Sequence, residues 1–235
     1  MTAAMKMLGI VGGTAPESTI EYYRLIVAAY RHRAGDGSYP SLLINSIDLK
    51  HMLALIAGDR LAEVTRFLLA EVERLARAGA EFGLLASNTP HIVFDDLRRQ
   101  SPIPLISIVE TACDAARALG LTRVGLIGTR FTMQGHFYAE VFAPRGIALC
   151  VPASPDREYI HDKYMGELVN GIFRPDTRDA VFAIVERLRT AEGIQGVILA
   201  GTELPLLLGD GAGRGIPFLD TTRLHVERAV AAMFA

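Results

Sequence analysis

Short apolar segments alternate with longer amphipathic segments along almost the whole chain. Eight short segments, rich in Ile, Leu and Val, predict strands; they are residues 7–11, 41–47, 83–86, 104–108, 124–127, 147–151, 196–200 and 216–219. Five longer segments place apolar residues at helical spacing and predict helices; they are residues 19–30, 60–77, 108–119, 176–191 and 222–234. Because helices that alternate with buried strands cover a parallel sheet, the pattern predicts an α/β fold.

An internal repeat divides the chain into two similar halves. The sequence VERL occurs at 72–75 and again at 185–188, and IPLI at 103–106 corresponds to IPFL at 216–219, so both pairs are separated by 113 residues. GLLA at 83–86 corresponds at the same offset to GVILA from 196, and GIVGGT at 9–14 corresponds at nearly the same offset to GLIGT at 125–129. The repeat predicts two pseudo-symmetric lobes, each a four-stranded parallel sheet flanked by helices.

Small polar residues follow several of the predicted strands, at the end where an open parallel sheet binds its ligands. Six such clusters are Gly12-Gly13-Thr14, Asn45-Ser46, Ser87-Asn88-Thr89, Gly128-Thr129-Arg130, Gly201-Thr202-Glu203 and Asp220-Thr221-Thr222. Two facing copies would enclose a small cleft between the lobes. Its hydroxyl groups and the backbone N–H groups at helix starts would suit a carboxylate.

Composition narrows the class of partner. The formal net charge of -2 gives no electrostatic basis for binding nucleic acid or an anionic membrane surface. The longest apolar stretches are shorter than the roughly 18–20 residues of a spanning helix, so we expect no membrane span. Two cysteines, Cys113 and Cys150, and the lack of a positive-then-apolar leader favour a cytoplasmic setting over a disulfide scaffold. A small soluble molecule is therefore the expected partner.

Other motifs with known chemistry fit poorly. The GIVGGT stretch does not satisfy G-x-G-x-x-G, and no acidic residue follows at the distance typical of a dinucleotide site. No phosphate-binding P-loop occurs. His91, His161 and Asp162 lack the spacing of zinc ligands, and no G-x-S-x-G sequence surrounds Ser87. Nicotinamide, metal and serine-hydrolase chemistry are accordingly disfavoured.

Five longer stretches together resemble the aspartate/glutamate racemase superfamily, in particular its amino-acid and aspartate racemases. They are GIVGGTAPESTIEYYRLI (9–26), LLASNTPH (84–91), GLIGTRFTMQGHFY (125–138), DREYIHDKYMGEL (156–168) and VILAGTEL (197–204). The resemblance covers essentially the full chain. It implies two α/β lobes around an active-site cleft, no pyridoxal phosphate or other cofactor, and a homodimer.

The resemblance also implies that the chain's final strand completes the sheet of the first lobe. We accordingly expect lobe 1 to comprise residues 1–100 plus 210–235 and lobe 2 to comprise residues 101–209.

In that family, one cysteine opens a C-N-T sequence and a second lies in G-C-T-E. They flank the substrate α-carbon, so that one thiolate removes the proton and the other thiol returns it on the far side. Ser87 and Gly201 stand at these two positions here. A serine hydroxyl ionises only far above neutral pH and glycine has no side chain, so the two-thiol mechanism is excluded. Cys113, in a helix pattern, and Cys150, in an apolar strand, are expected to be buried structural thiols.

Other family positions that hold the substrate are matched here by small polar residues. These residues are Thr14, Asn88, Thr89, Thr129, Thr132 and Thr202. Lys163 lies in a segment that, in the family, helps to read the substrate side chain. It either pairs with a distal carboxylate of the substrate or is a solvated helix charge.

Proton transfer without the thiols would fall to Ser87, Glu203, His91 or a water molecule at Gly201. Glu203 directly follows an apolar strand and is either a desolvated base or a carboxylate that accepts from amides at a helix start. His91 either acts on the substrate or is a structural hydrogen-bonding group. Ser87 either binds a substrate oxygen or only fills the space of a thiol.

The sequence thus predicts an amino-acid racemase-like isomerase that acts at the α-carbon of an amino acid or a related small carboxylate. Two alternatives stay open. One is a lyase or tautomerase on the same fold, and the other is a catalytically silent protein that binds a carboxylate or amino acid.

Overall fold

The structure is a computed structural model that describes residues 5–209 and 215–235. Within these residues, the chain forms eight strands and eleven α-helices. The strands are β1 Leu8–Gly12, β2 Leu42–Ser46, β3 Phe82–Leu85, β4 Leu105–Ile106, β5 Arg123–Gly128, β6 Ala148–Cys150, β7 Gly196–Ala200 and β8 Phe218–Asp220. Each lies within one residue or two of a strand that the apolar segments predict, so the predicted strand content is confirmed.

The helices separate successive strands, as the alternating pattern requires. They are α1 Pro16–Ala34, α2 Leu49–Ala57, α3 Leu61–Arg77, α4 Phe94–Gln100, α5 Ile108–Ala118, α6 Arg130–Gln134, α7 Phe137–Phe142, α8 Ser154–Gly166, α9 Pro175–Glu192, α10 Leu204–Leu208 and α11 Thr221–Met233. The five predicted helices correspond to α1, α3, α5, α9 and α11. Helices α6, α7 and α10 have only five or six residues, which is too short for a periodic apolar pattern to develop.

Two all-parallel sheets carry the same topology. The first has the strand order β2-β1-β3-β4 and the second has the order β6-β5-β7-β8. In the first, Ile10 lies between Ile44 and Leu84 of its neighbours, and in the second Leu126 is paired with Ile198. The internal repeat therefore corresponds to a repeated sheet, and the predicted α/β fold with two four-stranded parallel sheets is confirmed.

The described residues separate into two compact units. The first unit is built from the chain up to Ile108 together with His225–Ala235, and the second runs from Val109 to Leu224. Helix α11 therefore begins in the second unit and continues in the first. The expected return of the chain to the first lobe, at residue 210, lies outside the described residues.

The placement of the final strand corrects one expectation. Strand β8 pairs with β7 in the second sheet, so the expectation that it completes the first sheet is wrong. The internal repeat explains this position, because β8 is the counterpart of β4. The backbone N–H of Gly83 donates to the carbonyl of Pro104 at 2.9 Å, and that of Val197 donates to the carbonyl of Pro217 at 2.9 Å. Each edge strand is thus joined to its sheet through the proline that precedes it.

Each sheet has its own hydrophobic core. In the first unit, α1 and α11 pack on β1 and β3 through residues such as Ile26 and Val226. In the second unit, α8, α9 and α10 pack on β5 and β7, with Tyr164 and Val185 among the buried residues. Because the strands are covered by helices, their side chains are almost entirely apolar, and polar groups gather beyond the strand ends.

The turn after β1 fits only a residue without a side chain. Gly13 has a φ of +79°, and a Cβ there would lie 2.5 Å from the backbone nitrogen of Ile47 and closer still to its carbonyl oxygen. The N–H of Gly13 donates to Oγ1 of Thr19 at 2.8 Å. Ala15, two residues later, has a φ of +102°, a conformation that is unfavourable for a residue with a Cβ. The backbone is therefore tightly constrained where the chain enters α1.

Replacing Gly13 by alanine should lower the free energy of unfolding by about 3 kcal/mol or more, because the left-handed backbone and the close approach of Ile47 both oppose a Cβ. Gly35→Ala is the matched control. Gly35 also has a positive φ, of +68°, but a Cβ there would meet nothing within 4 Å, so about 1 kcal/mol is expected. Urea denaturation of both variants measures the difference, and equal losses would contradict the steric part of this account.

Candidate active site

The carboxyl ends of β1 and β3 lie side by side, because the two strands are paired in register. Thr14 follows β1, and its Oγ1 donates to the carbonyl oxygen of Ala86 at 3.4 Å. Ser87, Asn88 and Thr89 come directly after Ala86. We call Thr14, Ser87, Asn88 and Thr89 the first strand-end cluster. Asn88 is 2% exposed and Thr89 is 7% exposed, whereas Ser87 is only partly buried.

His91 lies one turn further on and is bound to backbone at both ring nitrogens. Its Nε2 accepts from the N–H of Ile108 at 3.2 Å. Its Nδ1 lies 2.9 Å from the carbonyl oxygen of Ser87; because a carbonyl can only accept, Nδ1 carries the proton. Burial, and then the nearby His225, lower the pKa of His91 to about 3. These contacts favour the structural alternative for His91, since neither ring nitrogen is left for a substrate.

His225, at which α11 enters the first unit, is a second buried neutral histidine. Its Nε2 donates to the carbonyl of Ile106 at 3.0 Å, and its Nδ1 accepts from the hydroxyl of Tyr22 at 2.8 Å. Burial lowers its pKa to about 4. The His225 side chain therefore links α11 to α1 and to the end of β4. His91, whose proton lies on Nδ1, links the turn after β3 to the start of α5. No motif in the sequence points to His225.

The carboxyl ends of β5 and β7 carry the corresponding groups in the second unit. These strands pair from Val124 to Gly128. Thr129 caps α6, because its Oγ1 accepts from the N–H of Thr132 at 3.4 Å, and the two threonine hydroxyls lie 3.2 Å apart. Gly201, Thr202 and Glu203 follow β7. We call Thr129, Thr132, Gly201, Thr202 and Glu203 the second strand-end cluster.

The space of a side chain at position 201 is taken by Tyr164 of α8. A Cβ built on Gly201 would lie 2.9 Å from the phenolic oxygen of Tyr164 and closer still to a ring carbon. The glycine is therefore required by packing, and a thiol built there would meet the same ring. No pattern in the sequence gives Tyr164 a role. The absence of a side chain at 201 is the one signal that another group must fill this volume.

Tyr164 and Glu203 form a buried hydrogen-bonded pair. The phenol donates to Oε2 of Glu203, which also accepts from the hydroxyl of Thr202 at 2.9 Å. Glu203 is 1% exposed. Burial, and then the charge of the Glu203 carboxylate, raise the pKa of Tyr164 well above its ordinary value. The phenol is thus held in its protonated form, and the carboxylate of Glu203 accepts its hydrogen bond.

His161 is placed near this cluster by α8, one helical turn before Tyr164. Its Nδ1 accepts from the N–H of Arg130 at 3.2 Å, so in the neutral ring the proton lies on Nε2. Burial, and then the charge of Arg130, lower the pKa of His161. The Arg130 side chain itself forms an ion pair with Glu158 at 3.3 Å. A neutral histidine that can donate through Nε2 is therefore a further polar group of the second unit.

Lys163 and the two cysteines have local partners. Nζ of Lys163 lies 2.6 Å from Oε1 of Glu167, which raises the pKa of Lys163.

Both cysteines are free and buried. Sγ of Cys113 donates to the carbonyl of Val141 at 3.9 Å, and the guanidinium of Arg123 donates to Sγ of Cys150 at 3.3 Å. Burial raises the pKa of Cys113, as expected for a structural thiol.

Within residues 5–209 and 215–235, no three His, Cys, Asp or Glu side chains lie close enough together to hold a metal ion. No helix in the described part of the chain has both the length and the apolar character needed to cross a membrane.

Replacing Gly201 by alanine should lower the free energy of unfolding by about 2 kcal/mol, because the added methyl group overlaps the ring of Tyr164 in a packed core. In a Tyr164→Ala background, the same change should cost less than about 0.5 kcal/mol, since the ring is gone. Gly166→Ala, at a position where a Cβ meets nothing within 4 Å, is the matched control. Urea denaturation of the four proteins in the cycle measures the coupling, and additive losses would argue against direct contact.

The first unit should lose stability in acid. In His91 and His225 the folded pKa is depressed below the unfolded value of about 6.5, so the stabilising contribution is complete above pH 6.5. It is lost as pH falls toward 4 for His225 and toward 3 for His91. Protonation of the two histidines together should lower the free energy of unfolding by about 4 kcal/mol between pH 7 and pH 5. Urea denaturation at pH 7, 6 and 5 measures this loss.

His225→Gln should retain about half of that pH dependence, because one titrating group is removed. His32→Gln, which changes an exposed histidine of α1, should retain all of it. If His225→Gln kept the full acid sensitivity, burial of a neutral His225 would not be its source.

Comparison with known proteins assigns the chain to a family. A family model described as Asp/Glu/hydantoin racemase matches residues 11–229. The broad specificity amino-acid racemase RacX of Bacillus subtilis is 23% identical over 97% of this chain and 99% of its own length. An uncharacterised protein of Pectobacterium carotovorum is 29% identical over 60% of this chain and 93% of its own length.

Two solved structures are similar over nearly the whole chain. A Yersinia pestis protein classed with the Asp/Glu racemases has a TM-score of 0.88 at 31% identity, covering 98% of this chain and 100% of that chain. An aspartate racemase homologue from Pyrococcus horikoshii OT3 has a TM-score of 0.83 at 33% identity, covering 98% and 99%. From the family match and these full-length similarities, the chain belongs to the Asp/Glu/hydantoin racemase family.

Proposed function

We propose that this protein is an amino-acid racemase-like isomerase that exchanges the proton at the α-carbon of an amino acid or a related small carboxylate. It acts without pyridoxal phosphate, nicotinamide or metal, as a cytoplasmic homodimer. The observation that carries the proposal is the position of buried polar side chains beyond the carboxyl ends of both sheets, in a chain of this family. The similarity to a broad specificity amino-acid racemase over the whole chain supports the substrate class.

Each strand-end cluster by itself supplies groups that suit a carboxylate. Thr14, Asn88 and Thr89 of the first cluster carry hydroxyl and amide groups that can donate to carboxylate oxygens. The hydroxyl groups of Thr129 and Thr132 can do so in the second cluster. Buried donors bind an anion well because they are already oriented and little water must be displaced. Ser87 is proposed to hydrogen-bond a substrate oxygen, since it has no adjacent imidazole nitrogen to accept its proton.

The proton itself is proposed to pass to Glu203. This carboxylate is the ionisable side chain at the end of β7, and Thr202 orients it through Oε2. Gly201 contributes bare backbone and no acid or base. His91 is proposed to position the turn that carries Ser87, because both of its nitrogens are bonded to backbone. The two-thiol route remains excluded by Ser87 and Gly201.

The ion pair of Lys163 affects which substrate side chains the site favours. Its ammonium group is already paired with Glu167, which also accepts from the hydroxyl of Thr177 at 2.6 Å. A second carboxylate on the substrate would have to displace this pair. The arrangement therefore favours substrates with a neutral side chain over aspartate or glutamate. For an acidic substrate, Lys163 would have to leave Glu167 and pair with the substrate carboxylate.

The test is uptake of deuterium at the α-carbon of amino acids in D2O, followed by NMR across a panel of both enantiomers, with binding measured by calorimetry. Exchange is expected for at least one neutral amino acid. Glu203→Gln should lower its rate at least about 100-fold with little change in binding, because an amide cannot take up the proton. Glu186→Gln, on the surface of α9, is the matched control and should retain the full rate.

A second candidate is a catalytically silent protein that binds a carboxylate or amino acid, which the absence of both thiols favours. Tight binding with no exchange and no product from any panel member would establish it and overturn the proposed activity. A lyase or tautomerase would instead release a product other than the enantiomer, and the same NMR spectra would show it.

A further inference from the structure

We infer that Tyr164 is a catalytic residue that carries the α-proton between the substrate and Glu203 at the end of β7. This inference rests on the proposed function, because it names the group that contacts the substrate in the same reaction. Two observations support it: the position of the phenol and its hydrogen bond.

The position of the phenol is set by Gly201. The first residue beyond a parallel strand is where side chains reach a bound ligand, and here that residue has no side chain. The phenolic oxygen of Tyr164 lies 2.9 Å from the point at which a Cβ of residue 201 would stand. Helix α8 therefore delivers a hydroxyl group to the place from which the strand end would otherwise present its own side chain.

The hydrogen bond makes this hydroxyl group able to relay a proton. Tyr164 donates to Oε2 of Glu203, and Thr202 donates to the same oxygen, which fixes the direction of the carboxylate. Glu203 is almost fully buried. A proton from the substrate can then reach the carboxylate through the phenolic oxygen without the carboxylate moving.

The relay conserves charge and atoms. The α C–H bond breaks, and its electron pair stays on the substrate as a carbanion delocalised into the carboxylate. The proton forms a new O–H bond on the phenol while the old O–H proton passes to Oε2 of Glu203, which becomes a carboxylic acid. The reverse step returns a proton to the same face of the carbon. Because burial and Glu203 raise the pKa of Tyr164, a relay that never forms a phenolate is the favourable path.

A relay through a single phenol acts on one face of the α-carbon. Because the proton is taken and returned on that face, exchange should be fast there, whereas inversion of the carbon needs a proton from the opposite face. One enantiomer should exchange its α-proton at least about tenfold faster than it racemises.

The experiment compares wild type with Tyr164→Phe, which keeps the ring against Gly201 and removes only the hydroxyl group. Deuterium uptake by the best panel amino acid should fall at least about 100-fold, while its dissociation constant by calorimetry changes less than about threefold. Tyr159→Phe, on the same helix, is the matched control and should leave both unchanged. Chiral chromatography of the wild-type reaction gives the ratio of exchange to racemisation.

Each outcome is decisive. Exchange in wild type that persists in Tyr164→Phe would overturn this inference and leave the proposed function intact. No exchange in wild type would overturn both. Equal losses of binding and exchange in Tyr164→Phe would show a structural hydroxyl group and would also overturn the inference. If Tyr164→Phe does not fold, 3-fluorotyrosine at position 164 keeps the shape and makes the phenol more acidic; an unchanged exchange rate would then overturn the relay.

Discussion

A parallel strand covered by helices on both faces can hold only apolar side chains, so the chain must place its polar groups beyond the strand ends. This constraint determines where the members of both strand-end clusters lie. In the first unit it brings Thr14 next to the turn that contains Ser87, and in the second it brings Thr129 next to Gly201. The duplicated strand order means that the same constraint acts twice, with different side chains at equivalent positions.

The second unit shows how packing can bring a polar group from a helix to the end of a distant strand. Removing the side chain at 201 leaves a volume that a close-packed core cannot leave empty. Tyr164 fills this volume and brings a hydroxyl group against Glu203. The result is a polar pair assembled from α8 and the end of β7, which differs in chemistry from a thiol at 201 but occupies neighbouring space.

The sequence predicts local features well and distant pairs poorly. Apolar runs bounded by glycine and proline identify all eight strands, and the repeat identifies the two sheets, because both signals lie in neighbouring residues. The repeat also places β8 correctly, where the family resemblance misplaced it. The Tyr164–Glu203 bond joins residues 39 apart and the Tyr22–His225 bond joins residues 203 apart. Such pairs depend on how the helices pack, for which spacing along the chain gives no signal. The bond of His91 to the N–H of Ile108, 17 residues away, is likewise not evident from the sequence.

The short edge strands β4 and β8 affect how readily the sheets pair with strands of other molecules. An exposed sheet edge can add a strand from another molecule, and a row of free N–H groups promotes this addition. Here the edges have two and three residues, and Pro104 and Pro217, which precede them, have no N–H to offer. Both sheets are therefore poor templates for intermolecular pairing along these edges, which protects newly made chains against aggregation.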